Sequence, residues 1–128
     1  MEKVGVYGSL RKGMSNSFLL EGAEYICSSR VPNFKMISLG GFPAVDKVAD
    51  PNESILVEFY YVDDDILEQL DYLEGYRGSL YEDNFYERIR VTHIRDNDTY
   101  MYIMPGCLTQ YEEVHDGDWT EFVRQARN

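Results

Sequence analysis

The sequence KVGVYGSLR, residues 3–11, joins a short apolar run to a glycine-centred interruption. Residues 3–7 predict a β-strand, and Gly8 ends it, because glycine tolerates positive φ and allows another group to approach the backbone closely. The backbone N–H groups of Ser9 and Leu10 then belong to neither a strand nor a helix. Such free donors suit a carboxylate or a developing oxyanion. On these residues alone, an ordinary turn between a strand and a loop is the alternative interpretation.

Beyond this turn, the chain continues in short segments with the period of β-strands. Further strands are predicted at 23–31, 34–39, 54–62, 85–94 and 99–104. The segment 54–62 is apolar on both faces except at Glu58, as in a strand buried on both sides. Residues 42–45 are interpreted as a stiff connector and residues 95–98 as a hairpin turn. About six strands and two or three helices predict an α+β fold, with a small mixed or antiparallel β-barrel and peripheral helices.

Two amphipathic helices are predicted, besides a short helix that ends at Leu20. The clearer one begins within residues 63–65, where Asp65 and Glu68 have the spacing of a capping box, and ends at Gly75. Its apolar stripe contains Ile66, Leu67, Leu70 and Leu73. Asp118 is predicted to cap the last helix, whose stripe contains Trp119, Phe122, Val123 and Ala126. Each helix therefore presents one apolar face to the sheet.

Length, charge and cysteine content restrict the classes of function. A chain of 128 residues predicts a single domain, 1–128. The net charge of -11 argues against binding to nucleic acid or to an anionic membrane surface, because both need basic patches. No apolar run approaches the roughly 18 residues of a membrane span, and the amino terminus lacks a signal-peptide pattern. Cys27 and Cys107 lack metal-site spacing, so we expect reduced thiols in a cytoplasmic protein, with a disulfide as the alternative.

Glu74 breaks the pattern of its own helix. At about 100° per residue it lies between Leu67 and Leu70, on the apolar side. It also occupies the last turn, where the helix dipole disfavours negative charge, and Asp71 adds a like charge three residues earlier. All three features predict a raised pKa, which suits a general base near neutral pH. A solvated glutamate at a frayed helix end is the alternative.

Other candidates for chemistry are weaker. Ser9 lacks the first glycine of a nucleophile elbow, and Met14 replaces the lysine of a P-loop. His93 and His115 have no evident nucleophile or metal partner and are expected to be structural or solvated. Glu58, on a buried strand, is either a second functional acid or a paired carboxylate in the core.

Four motifs in one order carry a family resemblance. They are VYGSLRKG at 6–13, FPAV at 42–45, LDYLEGY at 70–76 and YER at 86–88. Together they resemble the γ-glutamylcyclotransferase-like family over residues 3 to 105, which leaves 106–128 as a C-terminal extension with a helix. The resemblance implies a small mixed β-barrel with helices packed outside. It also implies an enzyme that cyclises the glutamyl part of a γ-glutamyl amide to 5-oxoproline and releases the amine, without any cofactor or metal.

The same resemblance assigns roles to individual residues. Tyr7, Gly8, Ser9 and Leu10 would bind a small γ-glutamyl substrate through backbone groups. Glu74 would be the catalytic acid/base, Tyr86 would approach the substrate, and Arg88 would be structural. Two alternatives from other classes remain. One is a non-catalytic module that binds a small acidic metabolite, and the other is an interaction domain that uses exposed tyrosines.

Overall fold

The computed structural model describes residues 1–93, 96–109 and 111–126. Over these residues the chain forms eight strands: β1 (Glu2–Val6), β2 (Glu24–Pro32), β3 (Phe34–Ser38), β4 (Pro43–Lys47), β5 (Ser54–Val62), β6 (Glu87–His93), β7 (Asp96–Ile103) and β8 (Glu112–Glu113). Two α-helices, α1 (Asp64–Glu74) and α2 (Trp119–Ala126), accompany 3-10 turns at Ser17–Leu20 and Cys107–Thr109. The predicted α+β class is confirmed.

The amino-terminal strand lies in the middle of the larger sheet. The five-stranded sheet has the order β2-β5-β1-β7-β6, and the three-stranded sheet has the order β4-β3-β8. β1 is antiparallel to β5, with Gly5 opposite Phe59, and parallel to β7, with Val4 opposite Tyr100. The glycine turn after β1 therefore begins at the end of a central strand, where neighbouring elements can converge on it.

The sheets differ from the prediction in two respects. Within the described residues they do not close into a barrel, because β2 and β6 are opposite edges of one sheet and do not pair with each other. Two strands were also missed. The predicted connector at 42–45 is mostly β4, which begins with Pro43 on an edge strand, where proline removes no ladder hydrogen bond. β8 has only two residues, too few to show a period.

The hairpin between β6 and β7 also has different limits from those predicted. β7 begins at Asp96, so part of the predicted turn at 95–98 belongs to a strand. Ile94 and Arg95, which the prediction placed at the strand end and in the turn, lie outside the described residues.

Hydrogen bonds at the helix ends explain where α1 and α2 begin and end. The Ile66 amide donates to Asp63 Oδ1 at 2.8 Å, so Asp63 caps α1 and the predicted capping box at Asp65 is wrong. Gly75 ends α1 in the left-handed conformation, φ 69°, as predicted. Asp118 Oδ1 accepts from the Glu121 amide at 3.2 Å, as predicted for the cap of α2.

The segment after residue 106 packs into the core. Val114 and Trp119 are buried in the cluster that includes Val57 and Phe59 of β5. Gly117 has φ 64°, and a Cβ there would collide with the carbonyl oxygen of Ser54, so this backbone lies directly against β5. The approach to α2 therefore stabilises the central sheet.

In the part of the chain that the structure describes, no helix has the length and apolar character needed to cross a bilayer.

Candidate active site

One cavity of about 350 Å³ lies at the end of β1. Its walls come from the end of β1 and the turn after it (residues 5–10), from residues 41–43 at the start of β4, from the last residues of α1, and from residues 85–86 before β6. The residues predicted for the site are Tyr7, Gly8, Ser9, Leu10, Glu74 and Tyr86, and all six line this cavity. The fold thus brings together residues that are far apart in the sequence.

The turn after β1 is held by hydrogen bonds that leave two amides without acceptors. The Arg11 amide donates to Gly8 O at 3.0 Å, and the Asn16 amide donates to Ser9 O at 2.8 Å. The Asn16 side-chain amide also donates to Ser9 Oγ at 2.9 Å. Within the described residues, the N–H groups of Ser9 and Leu10 donate no hydrogen bond. These are the two donors that the sequence singled out.

Of the two reasons predicted for Gly8, positive φ and close approach to the backbone, the structure supports only close approach, and the approaching group is protein. Gly8 is not among the residues with positive φ. A Cβ on Gly8 would instead lie 2.7 Å from Cγ of Pro43. The absence of a side chain therefore lets the β3–β4 connection close one wall of the cavity, and close approach by protein replaces the expected left-handed turn.

The segment that follows α1 positions Glu74. The Tyr86 amide donates to Glu74 O at 3.2 Å, and the Phe85 amide donates to Gly75 O at 3.0 Å. Asn84 closes the intervening loop by accepting from the Arg77 amide and donating to the carbonyl of Gly78, both at 2.8 Å. The chain thus folds back onto the end of α1 and places Tyr86 beside the carboxylate.

The Glu74 carboxylate is half-buried and, within the described residues, has no hydrogen bond or ion pair. Burial raises its pKa from 4.5 to about 7. The predicted direction is confirmed, but the charge of Asp71 is not its cause. Asp71 is paired with Arg88 Nη1 at 2.6 Å and accepts from the Tyr102 hydroxyl at 2.6 Å, so its charge is compensated.

Buried phenols form the inner wall of the cavity. The Tyr7 hydroxyl donates to Tyr102 O at 2.7 Å, and the Tyr86 hydroxyl donates to Pro43 O at 2.6 Å. Burial raises the pKa of both phenols well above the usual value, and the nearby Glu74 charge raises them further. Both therefore stay neutral near pH 7, and their protons are already donated to backbone carbonyls.

Glu58 belongs to a different site. Its carboxylate accepts from Arg11 Nε at 3.0 Å, from the Lys12 amide at 2.9 Å and from the Tyr60 hydroxyl at 3.0 Å. Arg11 also donates to Asp118 at 2.8 Å. Of the two alternatives for Glu58, a second functional acid or a paired carboxylate in the core, the structure shows the second.

Cys27, Cys107 and His115 do not line the cavity. Cys27 and Cys107 are free thiols, so the alternative of a disulfide between them is not realised, and burial raises the pKa of Cys107 to about 11. His115 is exposed and 3.1 Å from Glu113, whereas the side chain of His93 lies outside the description. Among the residues that the structure describes, no three His, Cys, Asp or Glu side chains cluster in a way that could hold a metal ion.

Ten lining residues received no site role from the sequence, and those with large or amide side chains are Val6, Asn16, Phe42, Leu73, Phe85 and Tyr102. Phe85 is adjacent to a predicted site residue, so its position in the sequence was a usable signal. Tyr102 reaches the cavity only because β7 pairs with β1, and no local pattern reports that pairing.

A family model described as gamma-glutamyl cyclotransferase, AIG2-like, matches residues 4–121. The chain belongs to this family. Membership supports a γ-glutamylcyclotransferase-like function, and the match extends past the segment, 3–105, that carried the resemblance in the sequence.

Two bacterial proteins and one archaeal crystal structure are similar to this chain over nearly their whole length. A Vibrio cholerae protein, named provisionally as a gamma-glutamylcyclotransferase, is 28% identical, and the match covers 94% of this chain and 96% of that protein. The gamma-glutamylcyclotransferase family protein YtfP of Escherichia coli is 25% identical, with 93% and 96% covered. The crystal structure of the uncharacterized protein PH0828 from Pyrococcus horikoshii has a TM-score of 0.77 at 20% identity, with 99% and 97% covered. The similarity to PH0828 is evidence for the fold alone.

Proposed function

We propose that this protein cyclises the γ-glutamyl group of a small γ-glutamyl amide to 5-oxoproline and releases the free amine, with Glu74 as general acid/base. One observation carries the proposal. An unpaired carboxylate with a pKa of about 7 shares a cavity with two backbone amides that have no acceptor in the described part of the chain. A base and a set of oxyanion donors facing one space are the minimum for attack on a carbonyl group.

The reaction forms one carbon–nitrogen bond and breaks another. The α-nitrogen of the glutamyl group attacks its own γ-carbonyl carbon, and the bond from that carbon to the amine nitrogen breaks. Of the three protons on the α-ammonium, one stays on the lactam nitrogen and two end on the departing amine, which leaves as an ammonium. Glu74 takes one proton before attack and returns it to the leaving nitrogen, and it then takes the second from the ring nitrogen and passes it to the released amine. No water, metal or redox cofactor enters the balance.

The protein's task is mainly to hold the substrate in a folded pose. Attack within one molecule already has a high effective concentration, so a confined cavity contributes by selecting the ring-like conformer. The Ser9 and Leu10 amides would donate to the γ-carbonyl oxygen as it becomes an oxyanion. Tyr7 and Tyr86, whose protons are donated to carbonyls, would act as rigid apolar walls.

The lack of partners on Glu74 favours this enzyme over a module that only binds an acidic metabolite. A carboxylate with no cation beside it would repel such a ligand. Among the described residues that line the cavity, none is lysine, arginine or histidine. The same carboxylate suits a substrate that brings an ammonium group to it.

The test is 5-oxoproline release from γ-glutamyl amides by wild-type protein and by Glu74→Gln. The variant keeps the shape but cannot exchange a proton at neutral pH, so the rate should fall by about 10²–10⁴-fold, with little change in KM. The matched control is Glu68→Gln, an exposed acid on the same helix, which should retain the wild-type rate. Full activity of folded Glu74→Gln would remove Glu74 from the mechanism, and binding of the amides without any release by wild-type protein would favour the binding module.

A further inference from the structure

Glu74 has no charged neighbour within the cavity itself. Among the described residues that line the cavity, it is the only one that is Asp, Glu, Lys, Arg or His. The other ionisable side chains around it come from the turn after β1, from the segment before β6, from β7 and from the turn after β7: Tyr7, Tyr86, Tyr102 and Cys107. Burial raises the pKa of all four, so they stay neutral near pH 7. Charges that act on Glu74 therefore come from residues just outside the cavity.

Two opposite charges, Asp71 and Arg88, lie next to Glu74 outside the cavity. Asp71 precedes Glu74 by three positions on α1, and side chains at this spacing are neighbours on a helix, with about 5–6 Å between their Cβ atoms. Arg88, on β6, donates from Nη1 to Asp71 Oδ2 at 2.6 Å. The side chains of Arg88 and Asp71 are only 19% and 22% exposed, so solvent screens their charges in part. An unbalanced charge on either residue would therefore act on Glu74.

Each partner of this ion pair has a second support. The Tyr102 hydroxyl donates to Asp71 Oδ1 at 2.6 Å, so the two carboxylate oxygens of Asp71 have different donors. The Arg88 guanidinium lies over the ring of Tyr100, 4.3 Å from its centroid, and over the ring of Tyr76 at 5.0 Å. Neutralising one partner therefore leaves the other charge in place beside the end of α1.

We propose that Asp71 and Arg88 act on the reaction through Glu74: as a balanced ion pair, they set the pH range in which its carboxylate accepts a proton. They are positioning residues, because neither lines the cavity. The inference rests on the proposed function of Glu74, and it adds that a general base near neutral pH needs the charges beside it cancelled. Burial is then free to raise the pKa of Glu74 to about 7.

Neutralising each partner in turn tests the proposal, because the two changes should have opposite effects. Asp71→Asn leaves Arg88 as an uncompensated cation, which favours the Glu74 carboxylate, so the titration midpoint of Glu74 should move down by about one pH unit. Arg88→Gln leaves Asp71 as an uncompensated anion, so the midpoint should move up by about the same amount. The double variant, Asp71→Asn with Arg88→Gln, should return close to the wild-type midpoint.

Two readouts measure the midpoint. The first is the ¹³C NMR signal of the Glu74 carboxyl group, followed against pH in the free protein and identified by its absence from the spectrum of Glu74→Gln. The second is the low-pH limb of kcat/KM for 5-oxoproline release from γ-glutamyl amides, which reports the pKa of the base in the free enzyme. A purely structural ion pair would lower the stability of the variants in urea without moving either midpoint.

Two control variants separate the charge of the pair from other effects of substitution. Arg88→Lys keeps the positive charge beside Asp71 and should stay close to the wild-type midpoint. Asp83→Asn neutralises one partner of an exposed ion pair, that with Arg77 in the loop after α1, and should leave the midpoint unchanged.

The outcomes separate this inference from the proposed function. Midpoints of folded Asp71→Asn and Arg88→Gln that stay at the wild-type value, or that move in the same direction, overturn the inference even if both variants are less stable. If Arg88→Gln does not fold, Asp71→Asn decides alone, and the lack of a downward shift overturns the inference. If wild-type protein releases no 5-oxoproline, the proposed function fails, while the NMR midpoints still decide whether the ion pair controls the protonation of Glu74.

Discussion

Two carboxylates sheltered from solvent, Glu58 and Glu74, have opposite surroundings. Glu58 is 5% exposed and accepts three hydrogen bonds, one of them from an arginine that is itself buried. Glu74 lines a cavity and, in the described part of the chain, accepts none. Shelter from solvent is common to both, so it does not identify a functional acid. The donors around the carboxylate distinguish the two acids, because an acid that already accepts three hydrogen bonds, one from a cation, would have to give up a bond to act on a substrate.

The loop that follows β1 connects the two acids. Its first part, Ser9 and Leu10, lines the cavity, and its next two residues, Arg11 and Lys12, donate to Glu58. Glu58 therefore anchors the loop whose other side faces Glu74. The comparison predicts that changes at Glu58 act on folding and changes at Glu74 act on chemistry.

The largest expected effect on stability is that of Glu58→Gln. Loss of the carboxylate leaves Arg11 buried with Asp118 as its remaining ionic partner, so the free energy of unfolding should fall by about 2–4 kcal/mol. Urea denaturation measures this change. Glu24→Gln is the control, because Glu24 is exposed on the neighbouring strand β2, and it should shift stability by less than about 0.5 kcal/mol. Equal stabilities of the two variants would refute the anchoring role of Glu58.

Glu74→Gln should have the opposite effect on stability, and the effect should depend on pH. The pKa of Glu74 is about 7 in the folded state against an ordinary value of 4.5, so the folded protein binds more protons between these values. Wild-type stability at this site therefore falls as pH rises through that window. Glu74→Gln does not lose this stability. The difference in free energy of unfolding between the variant and wild type should therefore grow in favour of the variant by about 1–3 kcal/mol from pH 4.5 to pH 8 and then level off.

Urea denaturation at several pH values, with Glu68→Gln as the exposed control, measures that difference. A difference in free energy of unfolding between wild type and Glu74→Gln that stays constant from pH 4.5 to pH 8 would mean that Glu74 titrates normally. The contrast drawn between Glu74 and Glu58 would then be wrong.

Local patterns in the sequence were sufficient for features with local causes. The strand before Gly8, the end of α1 at Gly75 and the cap of α2 at Asp118 all depend on residues within a few positions. The raised pKa of Glu74 was also predictable, because the helical period alone places it on the apolar face.

Features that depend on residues far apart in the sequence could not be predicted from local patterns. Asp71 was expected to repel Glu74, but its charge is compensated by Arg88, 17 positions away, through the return of the chain in β6. The barrel was inferred from a count of strands, whereas closure depends on which edges pair. Glu58 could be assigned only when Arg11 and Lys12 were seen beside it.

The smallest expected effect belongs to Gly8, at the point where the loop meets the cavity wall. Gly8→Ala places a Cβ 2.7 Å from the Pro43 ring, which must shift together with the carbonyl that accepts from Tyr86. Gly41→Ala is the matched control, since a Cβ there meets nothing within 4 Å and Gly41 is not among the glycines with positive φ. Both changes reduce the entropy of the unfolded chain alike, so their difference isolates the contact with Pro43. We expect Gly8→Ala to be less stable than Gly41→Ala by about 1 kcal/mol in thermal or urea unfolding. If the two variants are equally stable, Pro43 moves away from the added Cβ at no measurable cost. The wall of the cavity at Pro43 is then less rigid than the loop held by Glu58.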